Sequence, residues 1–141
     1  MKLIIAGTRY FETWVPYGGY LEDAITQSGW RDDITEVVDG GAWGVDSLGV
    51  LWAKKNGIPF ITFWANWREL GKKAGPIRNA KMAKYADALL LLWDGKSPGS
   101  KNMLSCMEKA GKPVYSMIVD AAYKADKGVE SRDAKKIRSL L

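Results

Sequence analysis

The chain has 141 residues, of which 47% are hydrophobic and 26% charged, a composition ordinary for one globular domain with a buried core. Its net charge is +5, with one cysteine and no histidine. The lack of histidine excludes the usual general base, the usual zinc ligand and every catalytic triad that uses histidine. The single cysteine excludes an internal disulfide and is typical of a reducing compartment. We therefore predict a cytoplasmic protein without a metal or cofactor.

Short apolar runs bounded by turn residues predict strands that alternate with helices. The predicted strands are 2–6, 35–39, 59–65, 88–94 and 114–119, and the predicted helices are 21–27, 45–55, 76–86 and 100–110. The fourth strand is the most continuously apolar and is expected to be the most buried. Neither this run nor the short apolar run at the start predicts a membrane span or a signal peptide.

Strands that are apolar on both faces and alternate with helices indicate a parallel sheet covered on both sides. We therefore predict an α/β fold: a single Rossmann-like domain over residues 1–120, with a mostly parallel sheet of about five strands and helices on both faces. Residues 121–141 are predicted to form a charged C-terminal extension, in which the apolar spacing favours a short helix.

A glycine-rich turn joins the second predicted strand to the helix that follows it. Gly40, Gly41 and Gly44 can reach positive φ and leave room for a ligand to approach the backbone. The free N–H groups at such a helix start attract phosphate or another anion. A tight strand-to-helix turn without a ligand explains the same glycines, so the pattern alone leaves both interpretations open.

The predicted topology favours the ligand site. Ligands of a parallel sheet bind beyond the carboxyl ends of its strands, and this rule brings the loops 7–9, 40–46, 66–79 and 95–100 to one edge. Three of these loops contain glycine turns, and two have cationic groups near a predicted helix start. The residues predicted to contact a ligand are Gly7, Thr8, Arg9, Gly40, Gly41, Ala42, Trp43, Gly44, Asp46, Arg78, Asn79, Ser97, Gly99 and Ser100.

Several of these side chains have a predicted role at the edge. Arg78 can hold a phosphate through a bidentate contact, although a pairing with Asp94 is the alternative. Asn79 can hydrogen-bond a ribose or a base edge. Ser97 and Ser100, with nearby backbone N–H groups, can hold a second anionic group.

Asp46 begins the helix after the glycine turn. It would accept hydrogen bonds from free N–H groups there and favour the helix dipole. A carboxylate in that place discourages a phosphate, so the alternative role of Asp46 is to accept a ribose hydroxyl.

Five of the seven tryptophans fall into two groups. Trp52, Trp64 and Trp93 lie in predicted core elements and are expected to pack there. Trp43 lies inside the glycine turn, where it either stacks on a base or covers the sheet edge. The same two interpretations apply to Trp67.

The positive charge is concentrated in two segments. Residues 68–84 carry 6 basic and 1 acidic groups, a net +5, and residues 121–141 carry 6 and 3, a net +3. For the first segment we favour an anion-binding rim over a solvated helix face. For the tail both interpretations remain open.

Six short motifs occur one after another along residues 3–119. They read Ile-Ala-Gly-Thr-Arg (5–9), Gly-Gly-Ala-Trp-Gly-Val-Asp (40–46), Ala-Asn-Trp (65–67), Ala-Gly-Pro-Ile-Arg-Asn (74–79), Trp-Asp-Gly-Lys-Ser (93–97) and Gly-Lys-Pro-Val (111–114). This ordered set resembles the SLOG superfamily, specifically its short YspA-like branch. The resemblance implies a Rossmann-like fold that binds a nucleotide or nucleotide-derived small molecule. Relatives in that superfamily include DNA-processing protein A and the cytokinin-activating phosphoribohydrolases.

The chain departs from these relatives at informative positions. The branch usually has Arg in place of Trp43 and Asp in place of Asn66. In the phosphoribohydrolases the second glycine turn ends in Gly-Thr-x-x-Glu, and this Glu takes part in cleaving the N-glycosidic bond. Here Met103 stands at that position and cannot transfer a proton, whereas Arg78 matches the arginine of those enzymes.

The leading functional hypothesis is therefore the sensing or sequestering of a nucleotide-like ligand, such as an ADP-ribose-like molecule or a cyclic signalling nucleotide, without catalysis. The first alternative is a hydrolase of a nucleoside-phosphate N-glycosidic or phosphoester bond. Its best catalytic candidates are Asp46 and Arg78, with Asp39, Glu12 and Asp94 as other proton-transfer groups. The second is single-stranded nucleic-acid binding through 68–84 and the aromatic loops. A homo-oligomer is expected, because apolar groups in 10–30 and the tail need a partner.

Overall fold

The structure, a computed structural model, describes residues 1–8, 19–42 and 44–119. Its strands are β1 (Lys2–Gly7), β2 (Glu36–Asp39), β3 (Phe60–Thr62), β4 (Ala88–Trp93) and β5 (Val114–Ile118). Its α-helices are α1 (Gly19–Ser28), α2 (Val45–Lys55), α3 (Trp67–Leu70), α4 (Ala74–Tyr85) and α5 (Pro98–Lys109). Single 3-10 turns occur at Arg31–Asp33 and Gly71–Lys73. The predicted extension 121–141 lies outside the described residues.

The five strands form one parallel sheet in the order β3-β2-β1-β4-β5. The chain builds outward from β1 through β2 to β3, then returns to place β4 on the other side of β1. The direction of winding therefore reverses between β1 and β4. This is a Rossmann-like α/β arrangement, and the predicted fold class is confirmed.

Helices cover both faces of the sheet because its strands are apolar on both faces. On one face, Leu3 and Leu90 pack with apolar side chains of α1 and α2. On the other face, Ile4 and Leu91 pack with side chains of α4 and α5. All six residues of β4 are buried, as expected for the central strand with the longest apolar run.

The edge strand β3 corrects one prediction. It ends at Thr62, so Trp64 lies beyond the strand and is 76% exposed rather than packed in the core. Phe60 and Ile61 are also exposed. An edge strand has only one hydrogen-bonded neighbour, so its apolar sequence does not ensure that its side chains are covered. Trp52 and Trp93, by contrast, are buried as predicted.

The helices also differ from the predicted ones: α1, α4 and α5 begin earlier than predicted, and α3 was not predicted. The segment predicted as the loop 66–75 contains α3, whose start is capped by Asn66: its side-chain Oδ1 accepts a hydrogen bond from the Glu69 N–H at 3.2 Å. Helix α5 begins at Pro98, with Ser97 as the N-cap residue, so Ser100 lies inside its first turn. In the described ranges, no helix is both long and apolar enough to cross a membrane.

Helix α2 crosses β1 closely at Gly49, and this contact generates a stability prediction. A Cβ at Gly49 would lie 2.9 Å from both Cβ and Cγ2 of Ile5, whose β-branched side chain is fully buried and cannot turn away. We expect Gly49→Ala to lower the free energy of unfolding by about 1–3 kcal/mol through overpacking, measured by urea denaturation.

The matched control is Gly99→Ala, because a Cβ there would meet no atom within 4 Å. This variant should keep the wild-type free energy of unfolding or gain slightly from helix propensity. Equal free energies of unfolding for Gly49→Ala and Gly99→Ala would show that α2 and β1 do not approach each other so closely.

Candidate functional site

A cleft of about 510 Å³ opens at the carboxyl end of the sheet, where the winding reverses between β1 and β4. The loops after β1, β2 and β4 line it together with the start of α4. The predicted ligand residues that line this cleft are Gly7, Thr8, Gly40, Ala42, Asp46, Arg78, Asn79, Ser97, Gly99 and Ser100. The structure thus brings these residues together, and their contact with a ligand stays a prediction.

Four predicted ligand residues are not among the described residues that line the cleft. Arg9 and Trp43 lie outside the described residues. Gly44 and Gly41 are described but do not line the cleft. Gly41 faces Trp64 instead: a Cβ on Gly41 would come within 2.5 Å of the Trp64 ring.

The amides of the glycine turn are engaged within the chain. The Gly40 N–H donates to Asp46 Oδ2 at 2.9 Å, and the Gly41 N–H donates to Asp39 Oδ1 at 2.8 Å. The backbone of Ala42 also hydrogen-bonds the Asp46 carboxylate. The anion in this turn is therefore the carboxylate of Asp46. The phosphate expected at these amides does not fit this arrangement, because their N–H groups already have acceptors.

Asp46 and Asp39 form a buried acidic pair beside the Arg78 guanidinium. Burial raises the pKa of Asp46 to about 7; the Gly40 N–H opposes this rise, the charge of Asp39 adds to it, and the charge of Arg78 opposes it. Burial also raises the pKa of Asp39, against hydrogen bonds from Gly41 and Thr62 and the charge of Arg78. The pair can therefore hold a proton near neutral pH.

Arg78 and Asn79 lie in the first half of α4 and bond to other parts of the chain. Arg78 donates from Nη1 to the Gly40 carbonyl and from Nε to Asn79 Oδ1, the latter at 2.9 Å. Asn79 is buried and donates from Nδ2 to Asn102 Oδ1 at 2.9 Å and to the Gly99 carbonyl at 3.4 Å. Asn79 therefore connects α4 to α5, and the ribose or base contact predicted for it stays a prediction.

Ser97 is likewise engaged, and this changes the second anion site. Its amide and hydroxyl donate to Asp94 Oδ1 at 2.8 and 3.0 Å, and the Lys96 amide donates to the same oxygen at 2.9 Å. Asp94, the alternative partner considered for Arg78, thus organises the turn before α5. The donors of Ser97 belong to that turn, which leaves Ser100 and the first-turn amides of α5 for an anion.

Thr8 and Ser100 differ from the other buried polar side chains of the cleft. They are only 3% and 7% exposed, and their hydroxyl groups have no hydrogen-bond partner within the part of the chain that the structure describes. Buried hydroxyls normally have partners. Ser100 and Gly99 lie in the first turn of α5, where backbone N–H groups lack intrahelical acceptors. These donors converge on the cleft from β1 and α5.

Other residues that line the cleft were not among the predicted ligand residues. Trp67, for which base stacking and packing were both considered, lines the cleft and is half exposed. Lys72 also lines the cleft and belongs to the basic segment 68–84, which was predicted to form an anion-binding rim. Buried Met82 and Met103 also contribute to the wall, and their apolar character resembles that of ordinary core residues.

This fold and cleft define an α/β protein with a doubly wound parallel sheet and a ligand-sized cleft at its switch point. The chain is 31% identical over 121 residues to the Gene 61 protein of Mycobacterium phage D29, a match covering 82% of this chain and 94% of that protein. It therefore belongs to the same family as the phage Gene 61 protein. No family model matches the sequence, and neither does any solved structure.

The raised pKa of Asp46 generates a pH prediction. The folded-state pKa of about 7 lies above 3.8, the ordinary pKa of an aspartic acid side chain. Between these two pH values the folded chain retains a proton that the unfolded chain releases, so this group's contribution to the free energy of unfolding falls as the pH rises. We expect the wild-type free energy of unfolding minus that of Asp46→Asn to fall from pH 5 to 7, with a slope of up to about 1.4 kcal/mol per pH unit.

Urea denaturation at several pH values measures this difference. The control Asp23→Asn changes an exposed acid on α1 and should keep the wild-type pH dependence. A constant difference between wild type and Asp46→Asn from pH 5 to 8 would contradict the assignment.

Proposed function

We propose that this protein binds a nucleotide or a nucleotide-derived small molecule in the cleft, and that it senses or sequesters this ligand without cleaving it. The observation that carries the proposal is the pair of buried hydroxyls on Thr8 and Ser100, which lack partners in the described ranges and line the same cleft. An ADP-ribose-like molecule or a cyclic signalling nucleotide carries phosphate oxygens that accept hydrogen bonds from such hydroxyls.

A phosphate group suits these donors. Its oxygens accept hydrogen bonds from hydroxyls and from the amides of Gly99 and Ser100, and the positive end of the α5 dipole favours its charge. Lys72 and Arg78 also line the cleft and make its potential more positive. The phosphate thus lies at α5 rather than at the glycine turn, whose amides are already bonded.

The rest of the cleft suits the sugar and base of such a ligand. Its volume of about 510 Å³ lies within the range of roughly 300–1,000 Å³ that is usual for small-molecule sites. Asp46 offers a carboxyl group to ribose hydroxyls, and Trp67 and Met82 offer apolar surface.

Binding without hydrolysis is the better-supported form of the proposal. Met103 lines the cleft at the position that carries the proton-transferring Glu in the phosphoribohydrolases that this chain resembles. Among the described acidic residues, Asp46 alone lines the cleft, and two backbone amides bond its carboxylate. Hydrolysis through Asp46 remains the alternative, and product analysis by chromatography separates the two.

The test is thermal unfolding with a panel of nucleoside phosphates, ADP-ribose and cyclic nucleotides, together with mass spectrometry of any small molecule that co-purifies. A ligand at 100 times its Kd should stabilise the native state by about 2.7 kcal/mol and raise the Tm. A panel that leaves the Tm unchanged at millimolar concentrations contradicts the proposal. Light scattering of the same samples tests the expected homo-oligomer.

The two hydroxyls give the proposal a sharper prediction. Thr8→Val and Ser100→Ala remove a hydroxyl without adding bulk. Ligand-free stability should stay unchanged or rise, because a buried hydroxyl without a partner is destabilising. Affinity for the phosphorylated ligand should fall roughly tenfold in each variant, since a hydrogen bond to a charged group is lost. Chemical denaturation and calorimetry measure the two effects.

Ser47→Ala provides the matched control for stability. Ser47 is equally buried at the same edge, but its hydroxyl donates to the Ala42 carbonyl at 3.1 Å, so its removal should destabilise the protein. If Thr8→Val and Ser100→Ala destabilise the protein as Ser47→Ala does and leave affinity unchanged, their hydroxyls have a structural role only.

A further inference from the structure

We propose that Trp67 is the surface on which the aromatic base of the ligand stacks, so that the cleft selects nucleoside phosphates over phosphorylated sugars. This inference rests on the proposed function and assigns its specificity. Trp67 lines the cleft and is 49% exposed, so the cleft wall includes a large apolar ring that the fold leaves half uncovered.

The backbone around Trp67 is fixed by a cap. Trp67 is the first residue of α3, directly after Asn66, whose Oδ1 accepts a hydrogen bond from the Glu69 N–H at 3.2 Å. The Asn66 Nδ2 donates in return to Glu69 Oε2 at 3.1 Å. The first contact is an N-cap hydrogen bond and the second joins the two side chains, so both hold the start of α3 in place. The ring of Trp67 therefore projects from a defined position.

The far end of the indole ring rests on a glycine. A Cβ at Gly75, in the first turn of α4, would lie 3.0 Å from Cη2 of Trp67 and 3.7 Å from both Cζ2 and Cζ3. Gly75 is buried, so the ring covers this part of the helix backbone. One edge of the indole is thereby packed, while half of its surface remains accessible.

Three other tryptophans of the described residues make different contacts. Trp52 is buried and donates from Nε1 to Glu22 at 2.9 Å, and Trp93 is buried in the core beneath α5. Trp64 is more exposed than Trp67 but lies against Gly41 and does not line the cleft. Trp67 is accessible to solvent, packs along one edge against Gly75 and lines the cleft.

A half-exposed indole in a cleft that also contains hydroxyl and amide donors suits a nucleobase. Every base has a π-face, so stacking on an aromatic side chain tolerates different bases but requires that a base be present. The donors of Thr8, Gly99 and Ser100 provide for a phosphate in the same cleft. A ligand with a phosphate at one end and a base at the other uses both features, whereas a sugar phosphate uses only one.

Calorimetry with adenosine 5′-monophosphate and ribose 5-phosphate tests the inference. Wild type should bind the nucleotide at least about tenfold more tightly than the sugar phosphate. Trp67→Leu should remove this difference by weakening the nucleotide alone, and Trp67→Phe should retain most of it. Trp64→Leu, which removes an exposed tryptophan outside the cleft wall, should change neither affinity.

A spectroscopic readout covers the case in which Trp67→Leu fails to fold. The indole N–H resonance of Trp67, assigned by its loss in Trp67→Phe, should shift when wild type binds adenosine 5′-monophosphate and stay in place with ribose 5-phosphate. Equal affinities of wild type for the two probes would overturn the stacking inference and leave phosphate binding intact. Failure of both probes and of the wider panel to bind would overturn the proposed function as well.

Discussion

The hydrogen bonds between the Asp46 carboxyl group and the glycine turn hold together the edge of the sheet that contains the cleft. They attach the start of α2 to the end of β2, and Arg78 adds α4 from the opposite face by donating to the Gly40 carbonyl. A Cβ at Gly40 would lie 2.6 Å from Arg78 Nη1. A side chain at position 40 would therefore displace the Arg78 guanidinium from its present place.

The polar groups around the cleft therefore divide into two kinds. The first kind has hydrogen-bond partners within the protein and keeps the loops in place; its members are Asp46, Arg78, Asn79 and Ser97. The hydroxyls of Thr8 and Ser100 have no such partner within the described residues. The polar contacts that fix the loops therefore come from β2, α4 and the turn before α5, and the two hydroxyls without a described partner lie after β1 and in α5.

Hydropathy was sufficient to predict the α/β fold, because buried parallel strands read as continuous apolar runs and turn residues separate them. It failed at Trp64, where an apolar run continues past an edge strand that has only one neighbour. The convergence of the loops followed from topology. The hydrogen-bond partners of the donors in these loops could not be predicted, because they are far away in the sequence. Arg78 and Gly40 are 38 residues apart, and Asn79 and Asn102 are 23 apart. Local patterns do not report such pairs.

The position of Asp46 in the cleft wall couples its proton to the occupant of the cleft. A ligand that excludes water from a buried carboxyl group, or that brings negative charge near it, further favours the neutral acid. An anion bound beside Asp46 near neutral pH would therefore be accompanied by proton uptake, which calorimetry would detect as a heat that varies with the ionisation enthalpy of the buffer. By reciprocity, such an anion would be held more tightly at acidic than at alkaline pH.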